Sequence, residues 1–359
     1  MASTGHSFFR APGSTPSLRP MGQKRGHFVP AFLLRRFAVE NRSHGERIYR
    51  LDRRTGRCVL ADPRTEAAQK HMYRIVDDDG TVCMDAESTL QQVESRTAPV
   101  LRKLEQPGVR LSTDERSVLG LFVVIQRLRT PFGRSWIKRI DEQLAVAQAE
   151  VALRNGEDFN GRHVGDDDRT ELVDLLRSGN LVVESPPSRQ TALMFIQWQE
   201  MARVLVDQCE WAIARAPEDS RFVTSDNPVV HFDPTLRDPR SGLGFASSAY
   251  TETTFAVDPS FCIWIRPSGV PRWGDGHVDA RSVEEVNLRT YAWAQDALYA
   301  TTQGVLTDLR ALERRSRKRV SRYQPVEPAL EIFEAGQRPA YLEEAARRLE
   351  TLPPTMRPR

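Results

Sequence analysis

The sequence predicts an α+β fold: an N-terminal β-hairpin, a helical middle region and a β-rich C-terminal half with flanking helices. Three observations predict it. Two short β-prone stretches flank a turn running from Asp52 to Gly56. Apolar residues then recur at helical spacing from about residue 85 to residue 207. From Cys209 onward, short alternating apolar runs broken by Pro, Asp and Ser take over. A chain of 359 residues with 40% hydrophobic and 28% charged residues carries enough apolar mass for a core of ordinary size.

Residues 1–23 form a basic tail. No Asp or Glu occurs before residue 27, and Ser, Pro, Gly and Arg dominate, so the segment is expected to be disordered. Pro12, Pro16 and Pro20 oppose the amphipathic helix of a transit peptide, and Met21 is an alternative start to Met1. A single large α+β domain is expected over 24–303, with its hairpin and helical part over 24–208 and its β-rich part over 209–303. Residues 304–359 read as a charged helical extension.

Within the domain, Ile48–Leu51 and Arg57–Leu60 read as the hairpin strands. Asp85–Glu105 puts Leu90, Val93, Thr97, Leu101 and Leu104 on one helical face. Ser112 and Glu115 form a capping box that opens a second helix, ending before Pro131. That helix is apolar all round at its middle, so it is expected to be central. Further helices are predicted over 135–155, 169–178 and 189–207. In the β-rich half, the stretch around Trp211 and Ile213 is expected to turn at 217–220 and return through Phe222 and Val223 as a strand pair. Thr253–Pro267 adds strands, Ser282 and Glu285 suggest a capped helix, and Asp296–Thr301 a last strand.

Cys58, Cys83, Cys209 and Cys262 show neither a CxxC pair nor zinc-ligand spacing, which fits free thiols in a reducing cytoplasm. The longest apolar run, Val118–Ile125, is far short of the ~20 residues of a membrane span, and no signal-peptide core precedes it. A cytosolic protein is therefore expected. The net charge of +3 says little by itself.

"GHFVPAFLLRRFA" at residues 26–38, "KHMYRI" at 70–75, "QRLRTP" at 126–131 and "FVTSDNPVV" at 222–230 occur in that order. The set resembles an uncharacterised bacterial family, domain of unknown function 4238, over roughly residues 24–303. The resemblance implies that His27, Lys70, Tyr73, the Thr224–Pro228 turn and Asn287 on a late helix belong to the family pattern. It implies no activity, so the residues are weighed on their chemistry.

His27 precedes Pro30, which suits a first helical turn, so its imidazole is expected just outside a helix start. It could serve there as general base or metal ligand, beside amides where a phosphate could dock. An HNH-type nuclease site with Asn41 and His44 is opposed by Gly26, where a metal-binding Asp is needed, and by helix where strands are needed. Glu87 and Glu94 stand about 10 Å apart along one helix face, too far to hold one metal together, and an exposed face or an ion pair with Arg127 is the simpler reading. Lys70 could hold a phosphate or carboxylate, and Tyr73 reads as core with its hydroxyl at an edge. Arg127, directly after the apolar run, needs a carboxylate or an anionic ligand. Ser225, Asp226 and Asn227 make Asx turns and equally form a ligand-contacting loop, with Asp226 as metal ligand or base. Arg314–Arg322 carries six cations and no acid.

The function expected from these residues is metal-assisted phosphodiester hydrolysis, nuclease-like and suited to a role in defence. His27 and Asp226 would hold Mg²⁺ or Mn²⁺, with Zn²⁺ as the alternative, and Lys70 or Arg127 would stabilise phosphate charge in one shared pocket. Ser225, Asn227, Glu87, Tyr73 and Asn287 would contact ligand. The alternatives are a non-catalytic module binding a small anion or nucleic acid, and an enzyme tailoring a small metabolite in a pocket lined by Trp198, Trp211, Trp264 or Trp293. No GxGxxG, Walker loop or HExxH occurs.

Overall fold

The computed structural model describes residues 25–324, apart from 42, 44, 71–73, 77–81, 159–161, 179, 182–184, 186, 233–250, 269–275 and 322. The basic tail, Tyr73 and the extension beyond 324 lie outside the described residues. The chain begins with β1 (Arg25–His27), α1 (Ala31–Arg35), β2 (Val39–Asn41), β3 (Gly45–Asp52) and β4 (Cys58–Ala61). β3 and β4 form the expected hairpin, with Ile48 opposite Ala61 and Leu51 opposite Cys58. Its turn is closed by Asp52, whose Oδ1 accepts from both the amide and the hydroxyl of Thr55 at 2.8 Å. Gly56 ends the turn at φ +71°, a left-handed conformation that glycine adopts without strain. Three short strands follow, β5 (Ala68–Lys70), β6 (Arg74–Val76) and β7 (Val82–Asp85); β5 pairs with β1 and β6 with β7.

The helical middle comprises α2 (Ala86–Lys103), α3 (Thr113–Leu128), α4 (Pro131–Arg154), α5 (Asp166–Arg177) and α6 (Pro187–Asp207). Leu90, Val93, Thr97 and Leu101 are buried on α2, as the spacing predicts. The capping box of α3 is formed: Ser112 Oγ accepts from the Glu115 amide, and Glu115 Oε2 accepts from the Ser112 amide. From Leu119 to Leu128 all but Leu121 are buried, because α3 packs between α2, α6 and a sheet. The turn from α3 into α4 is tight. Thr130 caps α4 through its hydroxyl to the Gly133 amide at 3.1 Å, and Pro131 occupies the first helical position. A β-carbon on Gly133 would land on the Arg127 and Leu128 carbonyl groups, backbone atoms that cannot rotate away.

The β-rich half contains β8 (Cys209–Arg215), β9 (Thr224–Ser225), β10 (Val229–Phe232), β11 (Glu252–Asp258), β12 (Phe261–Pro267), β13 (Gly276–His277), α7 (Ala280–Trp293), β14 (Ala297–Ala300), α8 (Gln303–Arg315) and α9 (Arg317–Ser321). One five-stranded sheet runs β10-β11-β12-β8-β13, and a second runs β2-β3-β14-β9 with β4 also on β3. Strand alternation gives the first sheet two apolar faces. Phe255 on one meets Phe122 of α3 at 6.0 Å between rings, while Phe232 and Trp264 on the other stack beneath Arg289 of α7. One apolar cluster runs from Val29 and Leu90 through Phe122 to Ile263 and Tyr299, so it joins the hairpin, helical and β-rich parts. The fold is α+β.

Three local expectations are corrected. Phe222 and Val223 do not pair with β8, whose neighbours are β12 and β13. The Phe222 amide donates to Pro259 O and the Val223 amide to the Asn287 side chain, so that segment is tied to α7 and to the β11–β12 turn. The cap of α7 is Asp279, which accepts from the Ser282 amide at 2.8 Å. Its helix starts earlier than Ser282, and Glu285 turns to Arg289 instead. The basic run is split by Ser316 into α8 and α9 rather than lying on one helix. Among the described residues no helix is long and apolar enough to cross a membrane.

Gly133→Ala should cost about 1–3 kcal/mol in urea unfolding, as overpacking against fixed backbone does. Gly304→Ala meets open space and should change stability little. Equal stabilities for the two variants would show that the α3–α4 turn has room to spare.

Candidate functional site

His27 sits at the end of β1, half-buried, with Nε2 3.0 Å from Arg64 O. It does not cap α1: Pro30 is the cap residue, with no side-chain hydrogen bond, and α1 has only five residues. So short a helix presents too little aligned backbone dipole for the expected phosphate site. Lys70 lies opposite Arg25 on the paired strand β5, two positions along from the His27–Ala68 pair. Glu87 is partly exposed in the first turn of α2. Glu94 pairs with Arg129 at 2.7 Å, not with Arg127. Two residues along a helix point about 200° apart, so the two arginines of α3 and its C-cap cannot share that carboxylate. Arg129, fully buried, also donates to Gln126 Oε1 through Nε and Nη2, and Gln126 in turn donates to Phe28 O at 2.7 Å.

The Thr224–Pro228 turn crosses from one sheet to the other, since β9 and β10 belong to different sheets. Asp226 is buried there, and both its oxygens are occupied. Oδ1 accepts from the Gln295 amide at 2.9 Å, and Oδ2 from the Asp296 and Ala297 amides at 2.6 and 3.0 Å. Three N–H dipoles aimed at one carboxylate suit an anion and oppose a cation beside it, so Asp226 does not fit the metal-ligand role expected of it. Burial nevertheless lifts its carboxyl to about 6. Ser225 Oγ accepts from the Asn227 amide at 3.1 Å. Asn227 donates to Trp293 O and faces the Thr130 hydroxyl at 3.2 Å. Asn287 takes the Val223 amide and donates to Arg221 O, which makes it the clamp of the segment before β9. Among the described residues no three His, Cys, Asp or Glu side chains gather as a metal group.

Arg127 is different in kind. Only 5% of it is exposed, and its guanidinium has no hydrogen bond or ion pair among the described residues; Nη1 is buried without any partner. It rests against two rings, 4.7 Å from the centre of Phe132 and 5.1 Å from that of Trp293. Those rings are 5.5 Å from each other, tilted by 53°, so the cation sits in the notch between them. Such contacts contribute roughly 0.5–2 kcal/mol and do not replace an anion for a buried charge. Burial pulls the Arg127 guanidinium down to about 9, which leaves it protonated at neutral pH. His231 of β10 is also buried, with Nδ1 2.8 Å from Thr253 Oγ1 and its ring edge-on to Trp293 at 5.8 Å. Burial and the Arg127 charge hold the imidazole well below its ordinary range, hence neutral.

Five elements build this corner: the end of α3, the capped start of α4, the sheet-crossing turn, edge strand β10 and the end of α7. Sequence reasoning singled out Arg127 and named Trp293 among ring candidates, but missed Phe132, Thr130 and His231. Only the arginine's position after an apolar run carried a signal in one dimension. Of the other tryptophans, Trp198 packs on Phe195 and Trp211 donates to Leu205 O, and both lie partly buried against the main core. Of the residues expected in one pocket, His27 and Lys70 lie on the β1–β5 ladder, Arg127 near the end of α3 and Asp226 in the sheet-crossing turn, with Gln126 bonded to Phe28 O between ladder and helix.

A family model described as a protein of unknown function (DUF4238) matches residues 25–304. No curated protein and no solved structure matches the chain.

The Asp226 carboxyl, at about 6 in the fold against an ordinary 3.8, binds its proton more tightly folded than unfolded. Its contribution to stability is complete below pH 4 and is lost as the pH rises through 6. The two-unit difference amounts to about 3 kcal/mol. Stability curves of the wild type and Asp226→Asn should therefore diverge by that order between pH 4 and pH 7, the variant lacking the decline. Parallel curves would refute the buried-carboxyl account.

Proposed function

We propose, for a chain that belongs to the DUF4238 family of proteins of unknown function, that Arg127 anchors a site for a small anionic ligand, a carboxylate or a phosphate. One observation carries this reading: a buried guanidinium that is charged at neutral pH and has no anionic partner among the described residues. Leaving one member of a buried ion pair alone costs about 3–5 kcal/mol in proteins, so the partner is expected to arrive from outside. The planar fork of arginine matches the two oxygens of a carboxylate or phosphate. Phe132 and Trp293 hold the fork in place, and neutral His231 beside it adds no second positive charge.

Metal-assisted phosphodiester hydrolysis finds less support. It would need Asp226 to leave three backbone amides and turn to a cation, with His27 brought across from the β1–β5 ladder.

Thermal unfolding with a panel of carboxylates, inorganic phosphate and phosphate monoesters tests the site in wild type, Arg127→Lys and Arg127→Met. A ligand at 100 times its Kd should stabilise the wild type by about 2.7 kcal/mol. Arg127→Met should lose that response and, with no ligand, be more stable by about 1–3 kcal/mol, because an unpaired buried charge has been removed. If Arg127→Met is destabilised and no anion shifts the wild type, the arginine is structural and the reading fails.

A further inference from the structure

Away from the Arg127 corner, the fold assembles a basic surface from two segments about 260 residues apart in sequence. The first is the β3–β4 turn, and the second is the α8–α9 region. Arg310 of α8 lies directly on Gly56, the residue whose missing side chain leaves room for the guanidinium, and its Nη2 donates to Thr55 O at 3.1 Å. Arg53 reaches the other way: its guanidinium stacks on Tyr291 at 4.8 Å, pairs with Glu313 at 3.7 Å, and donates to Ala294 O. The hairpin turn is thereby clamped along the flank of α8. One turn beyond Arg310, about 6 Å along the axis, comes Arg314, and beyond the break at Ser316 the short helix α9 carries Arg317 and Lys318.

Arg54, Arg57, Arg314, Arg315, Arg317 and Lys318 are all exposed and have no ion-pair partner among the described residues. Arg53 and Arg319 are neutralised by Glu313 and Glu284. Asp308 is the exposed acid on α8, nearer its N-terminal end. With a net charge of only +3 for the whole chain, this is a local concentration of charge, not an overall excess.

We propose that this surface binds the phosphate backbone of a double-stranded nucleic acid, without reading its sequence. Charge complementarity selects a polyanion. Among the described residues, Tyr291 and Tyr323, the rings beside Arg53 and α9, are buried and offer little platform for stacking single-stranded bases. Insertion into an anionic membrane needs an apolar helix face, and that of α8 is already spent: Leu306 and Leu309 are buried with Leu298 and Ala300 in the second core cluster.

Fluorescence anisotropy of the full chain with a labelled 20-base-pair duplex tests the proposal between 50 and 200 mM KCl. Four phosphate contacts would give a roughly 100-fold loss of affinity over that range. Arg54→Glu/Arg57→Glu and, separately, Arg314→Glu/Arg315→Glu should each weaken binding about tenfold or more and lower the salt slope by about 2, with circular dichroism unchanged. If a glutamate variant does not fold, the corresponding glutamine pair is used. The hairpin pair decides the matter: unchanged binding in that variant means the turn and helices do not act as one surface, and the proposal falls. It falls also if the duplex is not bound, if a single strand of equal length binds more tightly, or if phosphatidylserine vesicles are bound in its place. Arg127→Met should bind the duplex like the wild type, so this result and the small-anion result stand or fall separately.

Discussion

The carboxylate of Asp226 holds the tertiary structure at its narrowest crossing. The chain passes from β9 in one sheet to β10 in the other within the Thr224–Pro228 turn. At that point three consecutive amides, from Gln295 to Ala297, converge on one buried side chain. These are the amides that link α7 to β14, so the bond set fixes a helix end and a strand start at once. Asn227 extends it to Trp293 O and to Thr130, which caps α4. Unmade, the buried Ala297 donor would carry a desolvation cost of about 1–3 kcal/mol. The turn residues therefore act as the joint between two sheets and the helices α4 and α7.

The position of Arg127 follows from that joint. Helix α3 is enclosed, and any side chain on its last turns must find a partner or go without. Arg129 finds Glu94 and Gln126, and Gln126 passes the connection to Phe28, so one side of the α3 end is a closed polar network. Arg127 points elsewhere on the same helix, toward Phe132, Trp293 and His231, where rings replace carboxylates. Packing is complete around its stem and incomplete around its charge. A fold that tolerates this at the junction of five elements gives up stability at one point, as functional sites commonly do.

Charge is handled in two ways in the same chain. Inside, Arg289 is paired with both Glu252 and Glu285 and stacked on Phe232, a cation that joins α7 to the sheet. Outside, most cations of the hairpin turn and of α8 and α9 are left to solvent, while Arg53, Arg310 and Arg319 are tied down by Glu313, Thr55 O and Glu284. Arrangement decides these roles, since the residue type is the same throughout.

The α+β class, the β3–β4 hairpin, the buried stripe of α2 and the capping box of α3 were legible in one dimension, because each rests on contacts within about four residues or on a simple period. The family pattern was legible for the same reason, being an ordered set of short motifs. What could not be read was partnership across distance. Phe222 and Val223 have strand-like composition, yet their amides go to Pro259 and Asn287, and Ser282 with Glu285 reads as a cap until Asp279 takes the amide. Asp226 and Arg127 illustrate the limit in opposite senses. Sequence made the aspartate a metal ligand or base and gave the arginine a carboxylate or an anionic ligand, while the fold surrounds the first with donors and leaves the second without an anionic partner among the described residues. A sequence determines which groups are charged and which faces are apolar; only the tertiary structure decides who meets whom, because burial and pairing depend on elements hundreds of residues apart arriving at the same point.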